Sequence, residues 1–451
     1  MQHSQQGKLL QMSLQLHSQL ADAKKMLADM KRKRDDEPGP VQQGEEAVQE
    51  GEEAVTATGR KKKRMWVREW LLERPRMGQF HILMDQLLIS DEYEFANHTR
   101  LTPDLFFWML SRIRHRIEKQ ETFWRKPLSP EYRFAMVLRY YATGMSFRAI
   151  SQEWVCASNT VCNVVHQVSQ AIIDELSEEY LKTPTTKEEW IKIANAFATR
   201  WNFEHCLGAL DGKHVAITKP QNSGSLYYNY KGFFSIILLA LVDADYKFIW
   251  ADVGTNGACS DAQVWNDCEL QYAVQDDILE VPEAEPLVEG EQEVPYFLIG
   301  DNAFALRTYM MTPFSHKTQK REERIFNYRI SRARRIVENA FGILVNRFRV
   351  LLTTLKTTPQ YSITTVTACM VLHNILRSVQ NVAPLQVTPD TEDEDHNVVP
   401  GSWRDASTLA DGRPPGSRNT SSKDAKSIRE YLTSYYNGEL GAVHWQDKMV
   451  P

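Results

Sequence analysis

Three acidic residues of this chain stand where a carboxylate needs a reason. Asp211 lies inside the apolar run LGALDGKHVAIT (Leu207 to Thr218), Asp301 ends the segment YFLIG, and Glu338 stands alone among apolar and basic residues in RRIVENAFGILVNRFRVL. An ionised carboxylate in a strand core loses hydration that a cation or hydrogen-bond donors must replace. For Asp211 two partners are open: Lys213 or backbone N–H groups on one reading, a bound cation on the other. If the YFLIG strand runs beside the Leu207 strand, Asp301 comes close to Asp211, because adjacent strands are only about 5 Å apart. Carboxylates that close repel unless a divalent cation lies between them, and hard oxygen ligands favour Mg²⁺ or Mn²⁺. A third acid is expected from a helix. Glu338 sits at the edge of a stripe formed by Ile336, Val337, Phe341, Leu344 and Phe348, so it can point at the sheet. The alternative for Glu338 is an intrahelical pair with Arg334 or Arg335.

The elements that position these acids are legible from period and composition. Leu207 to Thr218 is apolar on both faces, too short for a globular helix and rich in β-formers, so it predicts a buried central strand. Further strands are expected at Phe233 to Asp243, Lys247 to Val253 and Pro295 to Gly300, with a helix starting near Ser260-Asp261, where Asp261 reads as an N-cap with an accessory electrostatic role at most. Strands in succession, then helix and strand alternating, predict an α/β fold with a mixed sheet flanked by helices. The Asp/Glu/Pro-rich stretch from Gln275 to Val294 reads as an acidic surface insertion, and Glu322 to Phe348 as a long helix.

Residues 65–200 read as helical. Thr102-Pro103 supplies a hydroxyl cap and a first-turn proline. Between Ser129 and Ile173, a helix, a break at Thr143-Gly144, a short helix from Ser146, a turn at Cys156 to Ser158 and a longer helix make a helix-turn-helix pattern. Its last helix buries Val161, Val164, Val165 and Val168 and turns Asn159, Thr160, Asn163, His166, Gln167 and Gln170 outward, types that bond base edges or phosphates. Arg148 lies nearby, and a plain trihelical packing unit is the alternative.

Before this, Leu9, Met12, Leu16, Ala23, Met26 and Met30 trace a short coiled-coil seam, and KRKR (Lys31 to Arg34) and RKKKR (Arg60 to Arg64) flank an acidic, Gly/Pro-containing linker. The two basic clusters read as nuclear-localisation signals, which places the chain in the nucleus with a cytoplasmic pool open. Residues 378–423 lose apolar content and read as a flexible connector, and residues 424–437 as a helix with Ile428, Leu432 and Tyr435 on one side.

Taken in order, the helix-turn-helix SFRAISQEWVCASNTVCNVV, LGALDGKHVAI, YYNYKGFFSI, GACSDAQVW, LIGDNAFAL, RRIVENAFGILVNRFRVL, VLHNIL and the terminal IREYLTSYYNGELGAVHWQ resemble the PIF/Harbinger superfamily of DNA transposases and the domesticated nucleases derived from it. The resemblance covers about residues 100–377 and 424–446. It implies a ribonuclease-H-like catalytic domain (201–377) behind the helix-turn-helix domain, with Asp211, Asp301 and Glu338 matching the family's catalytic triad. The chain departs from the family at Asn302-Ala303-Phe304 and at GTNGACSD, and neither change removes a proposed ligand. Two Mg²⁺ or Mn²⁺ ions about 3.5 to 4 Å apart would then serve phosphodiester cleavage and strand transfer. Asp211 would bridge the ions, and Lys213 and His214 become candidates for DNA contact instead of partners for Asp211. Arg329, Arg332, Arg334 and Arg335 would grip the phosphate backbone beside the site. The resemblance also implies double-stranded DNA, both transposon terminal repeats and target, as substrate. It further implies a Myb/SANT-like partner protein, and paired-end chemistry implies at least a dimer. The alternative is a domesticated chromatin or transcription factor that keeps the fold without catalysis.

Composition is compatible with either. The 451 residues carry a net charge of −5, 42% hydrophobic content and six scattered cysteines without a CxxC pair, which argues against a zinc module and against a disulfide scaffold. No apolar run reaches membrane-spanning length.

Overall fold

A computed structural model describes residues 68–121, 126–315, 320–379, 387–405, 408–411 and 421–450. The N-terminal heptads and both basic clusters lie outside the described residues. Several helices of the first half begin where a hydroxyl caps them. Thr102 accepts from the Leu105 N–H to start α1 (Pro103–Ile117), and Ser129 and Ser146 do the same for α2 (Pro130–Thr143) and α3 (Phe147–Glu153). Gly144 ends α2 at φ +67, a conformation that favours glycine, and a Cβ there would stand 2.6 Å from the Thr353 methyl. The long α4 (Ser158–Tyr180) buries Val161, Val164, Val165 and Val168, and α5 (Lys187–Trp201) leads to the sheet.

The sheet is built on β1 (Cys206–Ala216), of which only Ala216 is not buried. β2 (Ser235–Val242) and β3 (Phe248–Asn256) follow antiparallel on one side. On the other, β4 (Phe297–Ile299) runs parallel to β1 and β5 (Met310–Met311) parallel to β4. The order is β3-β2-β1-β4-β5, with β6 (Ala410–Asp411) added antiparallel to β1. This is a mixed sheet flanked by helices. One face packs Ala209, Val215, Leu238 and Ala240 against Ile336, Val337 and Ala340 of α7 (Arg321–Arg347) and against α8 (Pro359–Ser378). The other packs Leu210, Ile237 and Leu239 against Trp190 of α5 and Val264 and Trp265 of α6 (Asp261–Asn266). α4 lies along α8, so the helical half and the sheet share one apolar core. Among the described residues no helix is long and apolar enough to cross a membrane.

Three segments differ from the expectation. The acidic stretch is anchored: the Trp190 indole donates to Leu279 O at 2.9 Å and Lys187 pairs with Glu283 at 3.1 Å. The described part of the connector is no free tether. Asp390 N donates to Asn339 Oδ1 at 2.8 Å, the Trp403 indole donates to the same oxygen at 2.5 Å, and Arg404 pairs with Asp390. The ring of Trp403 covers Gly342 of α7, where a Cβ would be 2.0 Å from its Cε3. Polar residues such as Asp390 and Arg404 look solvent-facing in sequence, but here each has a buried partner. Finally, α9 (Lys423–Asn437) lies on α7 through Ala425, Ile428, Leu432 and Tyr436, with Tyr436 buried where Tyr435 was expected.

Candidate active site

β4 touches β1 only from Cys206 to Ala209, and β6 touches it only at Lys213 and His214. Between them, among the described residues, no strand pairs with Leu210, Asp211 and Gly212 on that side, which leaves a notch in the sheet. A cavity of about 630 Å³ opens there, and Asp211, Asp261, Asp301 and Glu338 all line it, with Lys213, Tyr230, Arg334, Arg404 and Asp411. Asp301 reaches it because β4 ends at Ile299, two residues before it, and its Oδ1 accepts from Ala303 N at 2.8 Å. Glu338 reaches it from α7 with its side chain 43% exposed, 3.9 Å from Arg334. Both alternatives open to the acids are therefore populated: the Arg334–Glu338 pair exists, and Lys213 Nζ lies 3.0 Å from Asp211 Oδ2.

That second contact corrects an expectation. Residues 211 and 213 share a strand face, so the ammonium turns to Asp211 and also to Asp411 Oδ1 at 2.7 Å, and Lys213 is only 9% exposed. Burial pulls its pKa down, but the two carboxylates outweigh it and hold the ammonium above its ordinary range. It is an internal counter-ion here, not a free DNA contact. His214 is buried on the opposite face, its Nδ1 2.9 Å from Ser235 Oγ, and burial followed by the Lys231 charge lowers its pKa to about 4.

Of the arginines on α7, only Arg334 lines the cavity. Arg329 is 1% exposed and donates to Gly441 O at 2.9 Å, to Gln446 Oε1 at 3.0 Å and to Asn202 O, with its guanidinium 4.4 Å from the Tyr436 ring centroid. Arg332 is bidentate to Glu392 at 2.8 and 2.9 Å and donates to Trp201 O, while half-buried Arg335 reaches Glu392 at 3.3 Å. Three of the four expected phosphate contacts are thus spent inside the protein, because α9 and the chain around Glu392 cover that side of α7. On the helical half, Arg148, Asn159 and Asn163 are exposed and Thr160 is half-buried. His166 stacks on Tyr361 with centroids 3.9 Å apart.

Two site residues are hidden from the sequence. Asp411 sits in a two-residue strand that carries no periodic signal. Asp261 reads there as a cap, whereas Ser260 caps α6 in a reciprocal pair with Gln263, a Ser-x-x-Gln pattern visible in the sequence. Asp261 is 3% exposed, its Oδ1 has no hydrogen-bond partner, and burial together with the charges of Asp211 and Asp301 raises its pKa to about 7. Burial also raises Asp301, opposed by Arg334 and reinforced by Asp211. Among the described residues no three His, Cys, Asp or Glu side chains are gathered tightly enough to hold a metal ion. The donor set nevertheless fits a hard divalent cation. Carboxylates dominate the lining, Asp211 and Asp261 among them are buried, and Asp261 Oδ1 has no hydrogen-bond partner.

Residues 210–374 match the family model described as DDE superfamily endonuclease. The protein named Putative nuclease HARBI1 from Xenopus laevis is 26% identical over 311 residues, 66% of this chain and 82% of that protein. Its Homo sapiens counterpart is 23% identical over 330 residues, 70% of this chain and 89% of that protein. Protein ALP1-like from Arabidopsis thaliana is 25% identical over 258 residues, 56% of this chain and 62% of that protein. No solved structure matches the chain. The notch, its acids and these similarities meet in the same segment: the chain carries a DDE superfamily endonuclease domain over residues 210–374 and is homologous, at modest identity, to the HARBI1 and ALP1-like proteins.

Proposed function

We propose that the chain is a divalent-metal-dependent DNA endonuclease of transposase type, with Asp211, Asp301 and Glu338 as its catalytic acids. The observation that carries this reading is that these three side chains, far apart in sequence, line one cavity at the open edge of β1 beside Arg334. The strand order β3-β2-β1-β4-β5 supports a ribonuclease-H-like domain. The three acids would hold Mg²⁺ or Mn²⁺ here, which would supply Lewis acidity at the scissile phosphate. The chain's own groups do the rest. The acids accept the proton that leaves the attacking water, and the Arg334 guanidinium faces charge building on the phosphate. Water's oxygen bonds to phosphorus as the bond from phosphorus to the 3′ oxygen breaks, and the 3′ oxygen takes up the proton that the water lost, leaving a 3′-hydroxyl that can attack a second duplex.

DNA is held in this reading by exposed Arg148, Asn159 and Asn163 on α3 and α4, with a Myb/SANT-like protein, a dimeric assembly and a nuclear location completing it. A second reading, a non-catalytic DNA-binding or chromatin factor, is favoured by one feature: Lys213 bonds the acid that catalysis needs. A labelled duplex incubated with Mg²⁺ or Mn²⁺ separates the two. Nicking by wild type that is lost in Asp211→Asn, Asp301→Asn and Glu338→Gln, with duplex binding retained in all three, is expected. Nicking that survives any of these changes refutes the assignment, and binding without nicking by wild type supports the second reading.

A further inference from the structure

The loop between β1 and β2 carries a tyrosine where a turn has no use for one. Asn229 N donates to Phe233 O at 2.9 Å and Gly232 N donates to Asn229 O at 3.1 Å, which makes Tyr230 and Lys231 the two central residues of a tight turn. Gly, Pro, Asn, Asp and Ser ordinarily fill such positions. Here the turn is enforced from its flanks. Asn229 is buried, its Oδ1 accepts from Lys231 N at 3.0 Å and from Phe233 N at 3.2 Å, and its Nδ2 donates to Ser235 Oγ at 2.9 Å. Gly232 closes the turn at φ +89. The tip is thus held in place while the Tyr230 side chain at its centre stays exposed.

Tyr230 lines the same cavity as Asp211, Asp301 and Glu338. The contacts of its ring are light. Its hydroxyl donates to Asp411 O at 3.4 Å, the His214 ring centroid is 6.1 Å away, and the Lys231 ammonium lies 5.6 Å from the ring centroid. Lys231 approaches Asp411 Oδ2 only to 3.7 Å, so its charge is loosely held. An exposed aromatic face beside a loosely paired cation is the combination that takes a nucleobase and its phosphate. The acids, by contrast, are recessed, with Asp211 7% exposed. A phosphate that descends into the notch to meet them draws its nucleotide out of the stacked helix, and unstacking costs free energy. A ring beside the notch gives the displaced base a new face to stack on.

We infer that Tyr230 is a stacking platform for an unpaired base next to the scissile phosphate, with Lys231 on the adjoining backbone, so that the chain selects DNA already unpaired where it is cut. The inference rests on the proposed DNA-cutting function and names its substrate class.

The test measures binding of the full chain, in EDTA so that no metal contributes, to three forms of one duplex: fully paired, with a small central bubble of unpaired thymines, and with the bases of that bubble removed as abasic sites. Wild type is expected to bind the bubble at least fivefold more tightly than the paired duplex and to lose that preference when the bases are gone, because an abasic strand bends as readily but has nothing to stack. Tyr230→Ala should bind all three forms alike. Tyr230→Phe keeps the ring and gives up the bond to Asp411, so it should keep the preference, which separates stacking from a loosened turn. Equal wild-type binding of bubble and paired duplex, an abasic bubble bound as tightly as the thymine bubble, a preference that survives in Tyr230→Ala or one that is lost in Tyr230→Phe each overturns the platform. Nicking of the same duplexes with Mn²⁺ is scored in parallel. The preference without nicking overturns the endonuclease reading and leaves the stacking site standing, and nicking without the preference does the reverse.

Discussion

Replacing Arg329 tests whether the arginines of α7 serve the fold or the nucleic acid. Its guanidinium satisfies Gly441 O, Gln446 Oε1 and Asn202 O and lies over Tyr436. Each hydrogen bond from a charged donor contributes roughly 1.5–3 kcal/mol net, and a desolvated cation–π contact about 2 kcal/mol. Against these stands the cost of burying the charge, which lowers the Arg329 pKa and cancels much of the sum. Arg329→Met keeps the volume but leaves Gly441 O and Asn202 O without a donor, while Gln446 Oε1 keeps the Val443 N–H, so a loss of about 3–5 kcal/mol is expected, a large part of the roughly 5–15 kcal/mol that a folded protein holds. Urea unfolding followed by tryptophan fluorescence reads this. In parallel, the logarithm of DNA affinity against the logarithm of salt should keep its wild-type slope, since removing a side chain that neutralises one phosphate would lower that slope by about 0.9. Unchanged stability with a slope lowered by that amount would refute the burial argument and return Arg329 to the DNA-binding set.

Asp411→Ala removes a carboxylate that is largely exposed yet bonded to Lys213, so duplex affinity should rise roughly fivefold, the equivalent of about 1 kcal/mol for a surface charge; filter binding that shows equal or weaker affinity counts against this. Gly342→Ala drives a Cβ into Trp403 and should cost about 1–3 kcal/mol, with limited proteolysis opening the chain at residues 387–405; an unaltered digest would mean that Trp403 does not hold that segment. Stability should also fall on acidification. His373 is fully buried, its Nε2 is 2.8 Å from Tyr246 O, and burial first, then Arg347 and Arg377, lower its pKa to about 3. Its neutral form therefore contributes full stability above the unfolded value of about 6.5, and that contribution fades as pH falls from there toward 3. His373→Gln should flatten this acid limb, and curves that run parallel from pH 7 to 4 would exclude His373 as its source.

The parts of the fold that were legible share a local cause. β1, β2 and β3 are long apolar runs, and hydroxyl residues before α1, α2 and α3 announce their own caps. β5 and β6 are two residues each, and their pairing is decided by partners that no local pattern encodes. Asp211 is conspicuous because it puts a charge in an apolar run, and Lys213 two positions on is the partner that the strand period itself offers. The arginine run is harder. A basic stretch reads the same in sequence whether it meets phosphate or carbonyl oxygens, and the acceptors of Arg329 and Arg332 are supplied from Asn202, Glu392, Gly441 and Gln446. Asp261 is hidden by its neighbour, since either residue of a Ser-Asp pair can cap a helix.

The cover over α7 also bears on how the chain matures. Glu204 N donates to the Tyr436 hydroxyl, 232 positions away, and Arg329 reaches Gly441 across 112. A chain synthesised from its N-terminus at about 5–20 residues per second completes β1 and most of α7 before the segment around Tyr436 has left the ribosome. The helix bearing Glu338 therefore gains its last clamp late, and the ends of the domain meet in space although they are made many seconds apart. Ribosome-stalled chains halted before and after Tyr436 would differ most around Arg329, where the nascent helix waits for its lid.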